Sequence, residues 1–171
     1  MKHPPLLILV AGLPGSGKSY FSKQLARELN ARYLSSDRMR AAMKLMGKYD
    51  EESKQKVYDR LEERAREALK EGESVLVDAT FHKKKRREQF ATLARQSGAR
   101  LKVICIDADA SLIRERLKKK RKESEADFSV YRKLKKEFEQ IEPGHLCLHS
   151  GKDNLAEMLR QAQDYLLTEK D

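Results

Sequence analysis

The stretch Leu6–Ser19 reads LLILVAGLPGSGKS. Its first residues, 6–10, form an apolar run, which predicts a buried strand. The pattern GxxxxGKS, from Gly12 to Ser19, follows at once and predicts a glycine-rich turn that opens a helix. Glycines let the backbone approach an anion closely, and the free N–H groups of a helix start point toward it. The stretch therefore predicts a phosphate-binding P-loop.

Two side chains of this loop have expected roles in binding a nucleoside triphosphate. Lys18 is expected to place its charge on the β- and γ-phosphates, and the Ser19 hydroxyl is expected to ligate Mg²⁺. A glycine-rich turn without a ligand is the alternative. The predicted nucleotide-binding set is Gly12, Leu13, Pro14, Gly15, Ser16, Gly17, Lys18, Ser19 and Tyr20.

The composition is typical of a globular chain with a highly charged surface. Of 171 residues, 39% are hydrophobic and 37% are charged, which favours a single domain over 1–171. No apolar run approaches the roughly 20 residues of a membrane span, and none has the form of a signal peptide. Cys105 and Cys147 lie in apolar runs and are predicted to be reduced and buried, so a cytoplasmic location is expected.

The positive charge is concentrated in one segment. The formal net charge is +10, and residues 83–122 hold fifteen Lys or Arg against four Asp or Glu. Solvated helix faces are one interpretation of this segment. The other is a cationic rim over a site that binds polyanions.

Short apolar runs alternate with amphipathic helical patterns along the chain. Further strands are predicted at 31–35, 74–78, 101–106 and 145–149. The alternation predicts an α/β fold, with a parallel five-stranded sheet covered by helices on both faces. The helix after the second strand is predicted to run to Gly47, with Met46 on its buried face. The run KKKRKESEAD lacks an apolar anchor and predicts a mobile basic lid at about 112–130.

Polar landmarks follow the first three strands, at the sheet edge where ligands collect in open parallel sheets. They are the P-loop, Asp37 and Asp78. Asp37 is expected to accept the proton of an acceptor hydroxyl or to orient that hydroxyl, with a helix-capping role as the alternative. Asp78 ends an apolar strand of the Walker B type and is expected to hold Mg²⁺ through water. Bonding to local backbone is its alternative.

Missing residues argue against two classes of nucleotide hydrolase. Ala79 follows Asp78, where motor-type ATPases usually carry a water-activating Glu. The guanine-specifying Asn-Lys-x-Asp is absent, and no glycine has an Asp three residues before it. The sequence therefore disfavours both a motor ATPase and a GTPase switch.

Arginines at or near the lid suit phosphoryl transfer. A guanidinium group binds phosphate oxygens bidentately, and lid closure keeps water from the γ-phosphate. The candidates are Arg114, Arg116 and Arg121, with solvated helix arginines as the alternative.

Four motifs together resemble one family: GLPGSGKS, SSDRMR, VLVDATF followed by an Arg, and DADASLIRERL. They are similar to those of small P-loop kinases with AAA-type ATP binding. This family includes the kinase domain of phage-type polynucleotide kinase, zeta-toxin-like kinases and uncharacterised predicted kinases. The resemblance covers nearly the whole chain and implies a three-layer P-loop NTPase sandwich with strand order 2-3-1-4-5.

The resemblance also implies roles for single residues, with ATP and Mg²⁺ as cofactors. Asp37 matches the family's catalytic Asp, and Arg40 matches an Arg that binds an acceptor phosphate in polynucleotide kinases. Thr80 and Arg87 fall where the family lines its acceptor pocket. Arg116 matches the lid Arg that contacts ATP and is taken as catalytic with Lys18 and Asp37.

These observations predict an ATP-dependent kinase that transfers the γ-phosphate to a hydroxyl of a small molecule, a nucleotide or a nucleic acid. The basic segment favours an anionic acceptor. One alternative is a nucleic-acid-binding ATPase or nucleotide-dependent interaction module, although aromatic residues for base stacking are only 6%. A chain that binds ATP without chemistry is a further alternative, against which the presence of both Asp37 and Asp78 argues.

Overall fold

The structure, a computed structural model, describes residues 3–120 and 124–168, with the backbone alone at residues 120 and 124–127. Five strands and seven helices alternate along the described chain. The strands are β1 Leu6–Gly12, β2 Arg32–Ser35, β3 Val75–Asp78, β4 Arg100–Ala108 and β5 Leu146–Ser150. The helices are α1 Lys18–Leu29, α2 Ser36–Ala42, α3 Glu51–Lys70, α4 Lys84–Ser97, α5 Ala110–Lys120, α6 Ser124–Glu137 and α7 Leu155–Leu166.

The strands form one parallel sheet in the order β2-β3-β1-β4-β5, which confirms the predicted fold. The P-loop therefore leaves the sheet from its central strand. At the carboxyl edge, Asp78 is paired in register with Val10 on one side and Ser35 on the other. Asp78 thus lies between the strand that leads to the P-loop and the strand that leads to Asp37.

Helices cover both faces of the sheet because β1 alternates its side chains between two cores. Leu7 and Leu9 pack into the core that includes α3 and α4. Ile8 and Val10 pack into the opposite core, with α1 and α7. Full burial of such a side chain contributes about 1.5–3 kcal/mol, so this central strand anchors the P-loop firmly.

Two local predictions were wrong. Helix α2 ends at Ala42 rather than at Gly47, because the chain turns at Lys44 with a φ of 59°, and Met46 is exposed. Cys147 is exposed rather than buried, whereas Cys105 is half-buried. Cys147 lies on the edge strand β5, and the two cysteines are paired in register on one face of the sheet.

The predicted lid region contains two helices, α5 and α6, with a small core of their own. That core joins Ile113 and Leu117 of α5 to Phe128 and Tyr131 of α6, and Leu13 of the P-loop packs against it. Most of the run that predicted a mobile segment is therefore helical on both sides of 121–123. The candidate Arg121 lies outside the described residues.

Across the described parts of the chain, no helix combines the length and the apolar character that a membrane crossing requires.

Candidate active site

The P-loop backbone requires its glycines. Gly15 and Gly17 have φ values of 80° and 90°, which other residues adopt only with strain. A Cβ on Gly17 would lie 2.9 Å from Ser150 Oγ and 3.1 Å from an Arg116 nitrogen, so there is also no room for a side chain. At Gly12, a Cβ would lie 2.8 Å from the carbonyl oxygen of Ile106.

The start of α1 leaves backbone donors for an anion. The first helical hydrogen bond is from Phe21 N–H to the Gly17 carbonyl, at 3.2 Å. The N–H groups of Lys18, Ser19 and Tyr20 precede it, in the helical turn that has no intrahelical acceptors. The Tyr20 side chain points into solvent, so its contribution to nucleotide binding would come from the backbone.

The remaining loop residues give the turn its shape. Ser16 is buried, its N–H donates to the Leu13 carbonyl at 3.2 Å, and its hydroxyl has no protein partner. A buried hydroxyl without a partner is costly, and a phosphate in the loop would satisfy it. Leu13 ties the loop to the α5–α6 core, and Pro14 is half-buried in the turn.

The Asp78 carboxylate is bonded to two side chains from other elements. It is 1% exposed, and its Oδ1 accepts from Lys18 Nζ at 3.0 Å. Its Oδ2 accepts from the Tyr33 hydroxyl at 2.5 Å. The alternative for Asp78, bonding to nearby backbone, is not what these contacts show. Lys18 is thus held by the carboxylate that was predicted to bind the metal.

Sequence reasoning missed Tyr33. Burial and then the negative charge of Asp78 raise the pKa of Tyr33 well above its ordinary value, so the hydroxyl stays a donor. The nearby hydroxyls of Ser35 and Ser19 act in the opposite direction and lower the pKa of Tyr33. The available signal was alternation, because Tyr33 lies two residues before Ser35, which neighbours Asp78 across the sheet.

The donor set at this point fits a magnesium ion. The Asp78 carboxylate accepts from the Tyr33 hydroxyl, and the Ser19 hydroxyl lies near the same group. Both are oxygen donors, which Mg²⁺ prefers, and a single carboxylate leaves room for phosphate and water oxygens.

The Asp37 side chain is exposed to solvent. Ser35 caps α2 by accepting from the Arg38 N–H at 3.3 Å, so the capping alternative for Asp37 does not hold. The Asp37 side chain is 77% exposed, and its Oδ1 lies 3.4 Å from Nη1 of Arg40. An exposed carboxylate at the sheet edge is accessible to an incoming hydroxyl.

Arg40 lies next to Asp37, and one of its hydrogen-bond donors has no partner. Its side chain is buried, its guanidinium lies 4.7 Å from the centre of the Tyr49 ring, and its Nε has no partner. A buried arginine with a spare donor suits an anionic group on a ligand.

The two other predicted acceptor residues differ from each other. Thr80 is half-buried, and its carbonyl accepts from Gly12 N–H at 3.3 Å, which places it beside the P-loop. Arg87 corrects the prediction, because it is 3% exposed and its donors all point into the protein. They bond the carbonyls of Phe81, Glu139 and Gln140 at 2.6, 3.1 and 2.8 Å and the Glu142 carboxylate at 3.3 Å.

Arg116 joins α5 to the P-loop. Its Nη1 donates to the Gly15 carbonyl, and its Nη2 donates to Ser150 Oγ and the Gly151 carbonyl, each at 3.1 Å. Burial lowers the pKa of Arg116 from its ordinary value. By contrast, Arg114 stacks at 3.9 Å on the ring of Phe128.

A shallow cleft of about 300 Å³ opens beside Arg116. One wall is the lid helix α5, and the other is the loop that follows β5. Its lining residues are Leu112, Glu115, Arg116, Lys119 and Lys152.

Comparisons with known proteins agree with this fold. A family model described as an AAA domain matches residues 7–141. A search of curated proteins finds no match.

Solved structures with the same fold include three kinases. The APS kinase of Mycobacterium tuberculosis, in complex with AMPPNP and APS, has a TM-score of 0.75 and 20% identity over 97% of this chain and 100% of its own. A gluconokinase from Sinorhizobium meliloti 1021 has a TM-score of 0.73 and 20% identity, over 96% and 93%. A sugar kinase from a Janibacter species has a TM-score of 0.71 and 18% identity, over 95% and 95%.

Proposed function

Because the chain belongs to this AAA-domain family, whose model spans most of it, we propose that it is an ATP-dependent kinase that phosphorylates a hydroxyl group. The observation that carries the proposal is the arrangement at one sheet edge. Asp37 is exposed and paired with Arg40 on α2, while Lys18 at the start of α1 meets Asp78 at the end of β3. One side of this edge suits a triphosphate, and the other suits an acceptor.

On the nucleotide side, the P-loop N–H groups bind the β-phosphate, and Lys18 turns from Asp78 to the β- and γ-phosphates. Ser19 and Asp78 hold Mg²⁺, which neutralises the charge on the phosphate oxygens. The cleft beside Arg116 receives the nucleoside. Arg116 donates to the oxygens of the transferring group, where negative charge develops during transfer.

On the acceptor side, Asp37 orients the acceptor hydroxyl and accepts its proton. The hydroxyl oxygen forms a bond to the γ-phosphorus, and the bond from that phosphorus to the β–γ bridging oxygen breaks. ADP leaves with the bonding electrons. Such a carboxylate contributes on the order of 10²–10⁴-fold to the rate.

We further propose that the acceptor carries an anionic group. The support is Arg40, whose buried guanidinium lies 3.4 Å from the Asp37 carboxylate through Nη1 and keeps its Nε donor without a partner. The M. tuberculosis APS kinase was solved with AMPPNP and APS, and the other two neighbours are a gluconokinase and a sugar kinase. Phosphorylated and carboxylated sugars and nucleotides are therefore the first acceptors to try.

The test is release of ADP from ATP and Mg²⁺ against a panel of acceptors. The panel contains sugars, sugar acids, sugar phosphates, nucleosides, nucleotides and 5′-hydroxyl oligonucleotides. We expect one class to raise ADP release and Asp37→Asn to reduce that rate by at least 100-fold.

The matched control is Asp164→Asn, which neutralises an exposed carboxylate that pairs with Arg160 at 3.1 Å on α7. This variant is expected to keep the wild-type rate. The kinase proposal would be contradicted if no acceptor changed the rate of ADP release and Asp37→Asn kept the wild-type rate.

A nucleic-acid-binding ATPase has less support. Several cations of the basic segment are already paired within the fold, as in Lys85–Glu51 at 3.2 Å and Arg87–Glu142 at 3.3 Å. Phosphate gripping by the remaining cations would give binding that weakens steeply with salt. Oligonucleotide binding measured between 50 and 200 mM salt distinguishes this function from acceptor phosphorylation, and we expect weak binding without turnover to ADP.

A further inference from the structure

We propose that Tyr33 is the positioning residue that holds Asp78 for magnesium once Lys18 has moved to the nucleotide. The inference rests on the proposed function, since it concerns the same site. It adds a residue that neither the P-loop motif nor the strand-end carboxylate reveals.

The contacts place Asp78 between two donors of different kinds. Lys18 Nζ is 3.0 Å from Oδ1, and the Tyr33 hydroxyl donates to Oδ2 at 2.5 Å. The Lys18 side chain is flexible, and in the proposed function it also binds phosphate. The Tyr33 ring packs against the core, so its hydroxyl cannot move to the nucleotide as the Lys18 ammonium can.

Because the Asp78 carboxylate is buried, it needs a hydrogen-bond donor that stays in place when Lys18 moves. Asp78 is 1% exposed, and a buried carboxylate without a hydrogen-bond donor is strongly unfavourable. When Lys18 swings to the phosphates, Oδ1 becomes free and the Tyr33 hydroxyl remains on Oδ2. The carboxylate then keeps its orientation and offers one oxygen toward Ser19.

The Tyr33 ring is itself held in place. It belongs to β2, which is paired in register with β3, and it packs against the core that contains α1 and α7. The Arg38 guanidinium lies 5.0 Å from the ring centre.

A donor that fixes a metal-binding carboxylate typically changes metal affinity by 10–100-fold when it is removed. Tyr33→Phe removes the hydroxyl and keeps the ring. Tyr33→Phe is therefore expected to raise the Mg²⁺ concentration that nucleotide binding requires. Binding of the nucleotide in the absence of Mg²⁺ is expected to stay the same.

The experiment measures binding of a fluorescent ATP analogue, without acceptor, while Mg²⁺ is titrated. For Tyr33→Phe we expect the half-maximal Mg²⁺ concentration to rise by about ten-fold or more. Affinity for the same analogue in EDTA is expected to stay within about two-fold of wild type. The control is Tyr165→Phe, which loses a hydroxyl that donates to the Gly144 carbonyl at 2.8 Å, away from the site.

The outcomes separate this inference from the proposed function. An unchanged or lower Mg²⁺ requirement in Tyr33→Phe overturns the role of Tyr33 and leaves the kinase proposal standing. An equal loss of affinity in EDTA also overturns it, because the hydroxyl would then support the fold or the loop. Wild-type protein whose nucleotide affinity ignores Mg²⁺ overturns the metal assignment on which both rest.

Discussion

The two sides of the crevice are built in different ways. On the nucleotide side, Lys18, Asp78 and Arg116 are already bonded to protein partners within 3.1 Å. On the acceptor side, Asp37 is exposed, and the loop at residues 43–50 presents Met46 and other exposed side chains to solvent. The nucleotide side is preorganised, whereas the acceptor side is open.

The difference follows from what each side binds. A triphosphate can be held by backbone N–H groups and one lysine, which a single contiguous stretch supplies. In the proposed function, an acceptor would be recognised by side chains from separate segments, namely α2 and the loops that follow α2 and β3. Loops on a rigid scaffold are where such specificity is usually placed. Substitutions on the two sides should therefore affect different kinetic parameters.

The largest effect is expected from Lys18→Ala. It removes the phosphate-binding charge and leaves the buried Asp78 without its ion pair. Affinity for a fluorescent ATP analogue should fall by at least 100-fold, as a charge-assisted phosphate contact of this kind predicts. The control is Lys23→Ala, an exposed lysine on the same helix, and equal affinities for the two variants would break the comparison.

The next effect is expected from Arg116→Ala. The change removes hydrogen bonds to the Gly15 carbonyl, Ser150 Oγ and the Gly151 carbonyl, and so loosens the lid from the P-loop. We expect kcat to fall by about 100-fold and the KM for ATP to rise by about ten-fold. A change in the KM for the acceptor alone would contradict the assignment of Arg116 to the nucleotide side of the crevice.

A smaller and more diagnostic effect comes from comparing Arg40→Gln with Arg87→Gln. Arg40→Gln should raise the acceptor KM by about ten-fold and spare ATP, since a charged hydrogen bond contributes about 1.5–3 kcal/mol. Arg87→Gln should leave both KM values alone and lower the free energy of unfolding by about 2–4 kcal/mol, because buried carbonyls lose their donor. Steady-state kinetics and urea unfolding measure the two effects. A higher acceptor KM in Arg87→Gln, with unchanged stability, would show that Arg87 belongs to the acceptor pocket.

The smallest effect concerns the 43–50 loop. Trypsin should cut after Lys44 or Lys48 early, because both residues are exposed in an irregular segment. A phosphorylatable acceptor should slow this cleavage by a few-fold, while the ATP analogue alone should not. Mass spectrometry of the released peptides measures the rates, and protection by nucleotide alone would show that the loop belongs to the nucleotide side.

The sequence predicted the fold because its signals are local, and the nucleotide-binding residues stay a prediction that rests on signals of the same kind. The P-loop occupies a single stretch, and Asp78 is the last residue of the strand that positions it. Tyr33 and Arg87 were missed or misassigned because their roles depend on distant partners. Tyr33 bonds a residue 45 positions away, and Arg87 bonds backbone 52 and 53 positions away.

The α2 region shows a second limit. The methionines after Asp37 have helical spacing, and this pattern predicted a helix up to Gly47. The chain turns earlier, at Lys44, and Met46 faces solvent. Periodicity cannot distinguish a side chain that packs in the core from one that lines an open binding loop.

The most direct test of the central claim is to follow the γ-phosphate itself by phosphorus NMR. Protein, ATP and Mg²⁺ are incubated with the acceptor panel, and the products are compared with those of Asp37→Asn. The account predicts a new phosphate monoester that forms in step with ADP and is absent from the variant. Inorganic phosphate as the sole product, formed equally by both proteins, would contradict it.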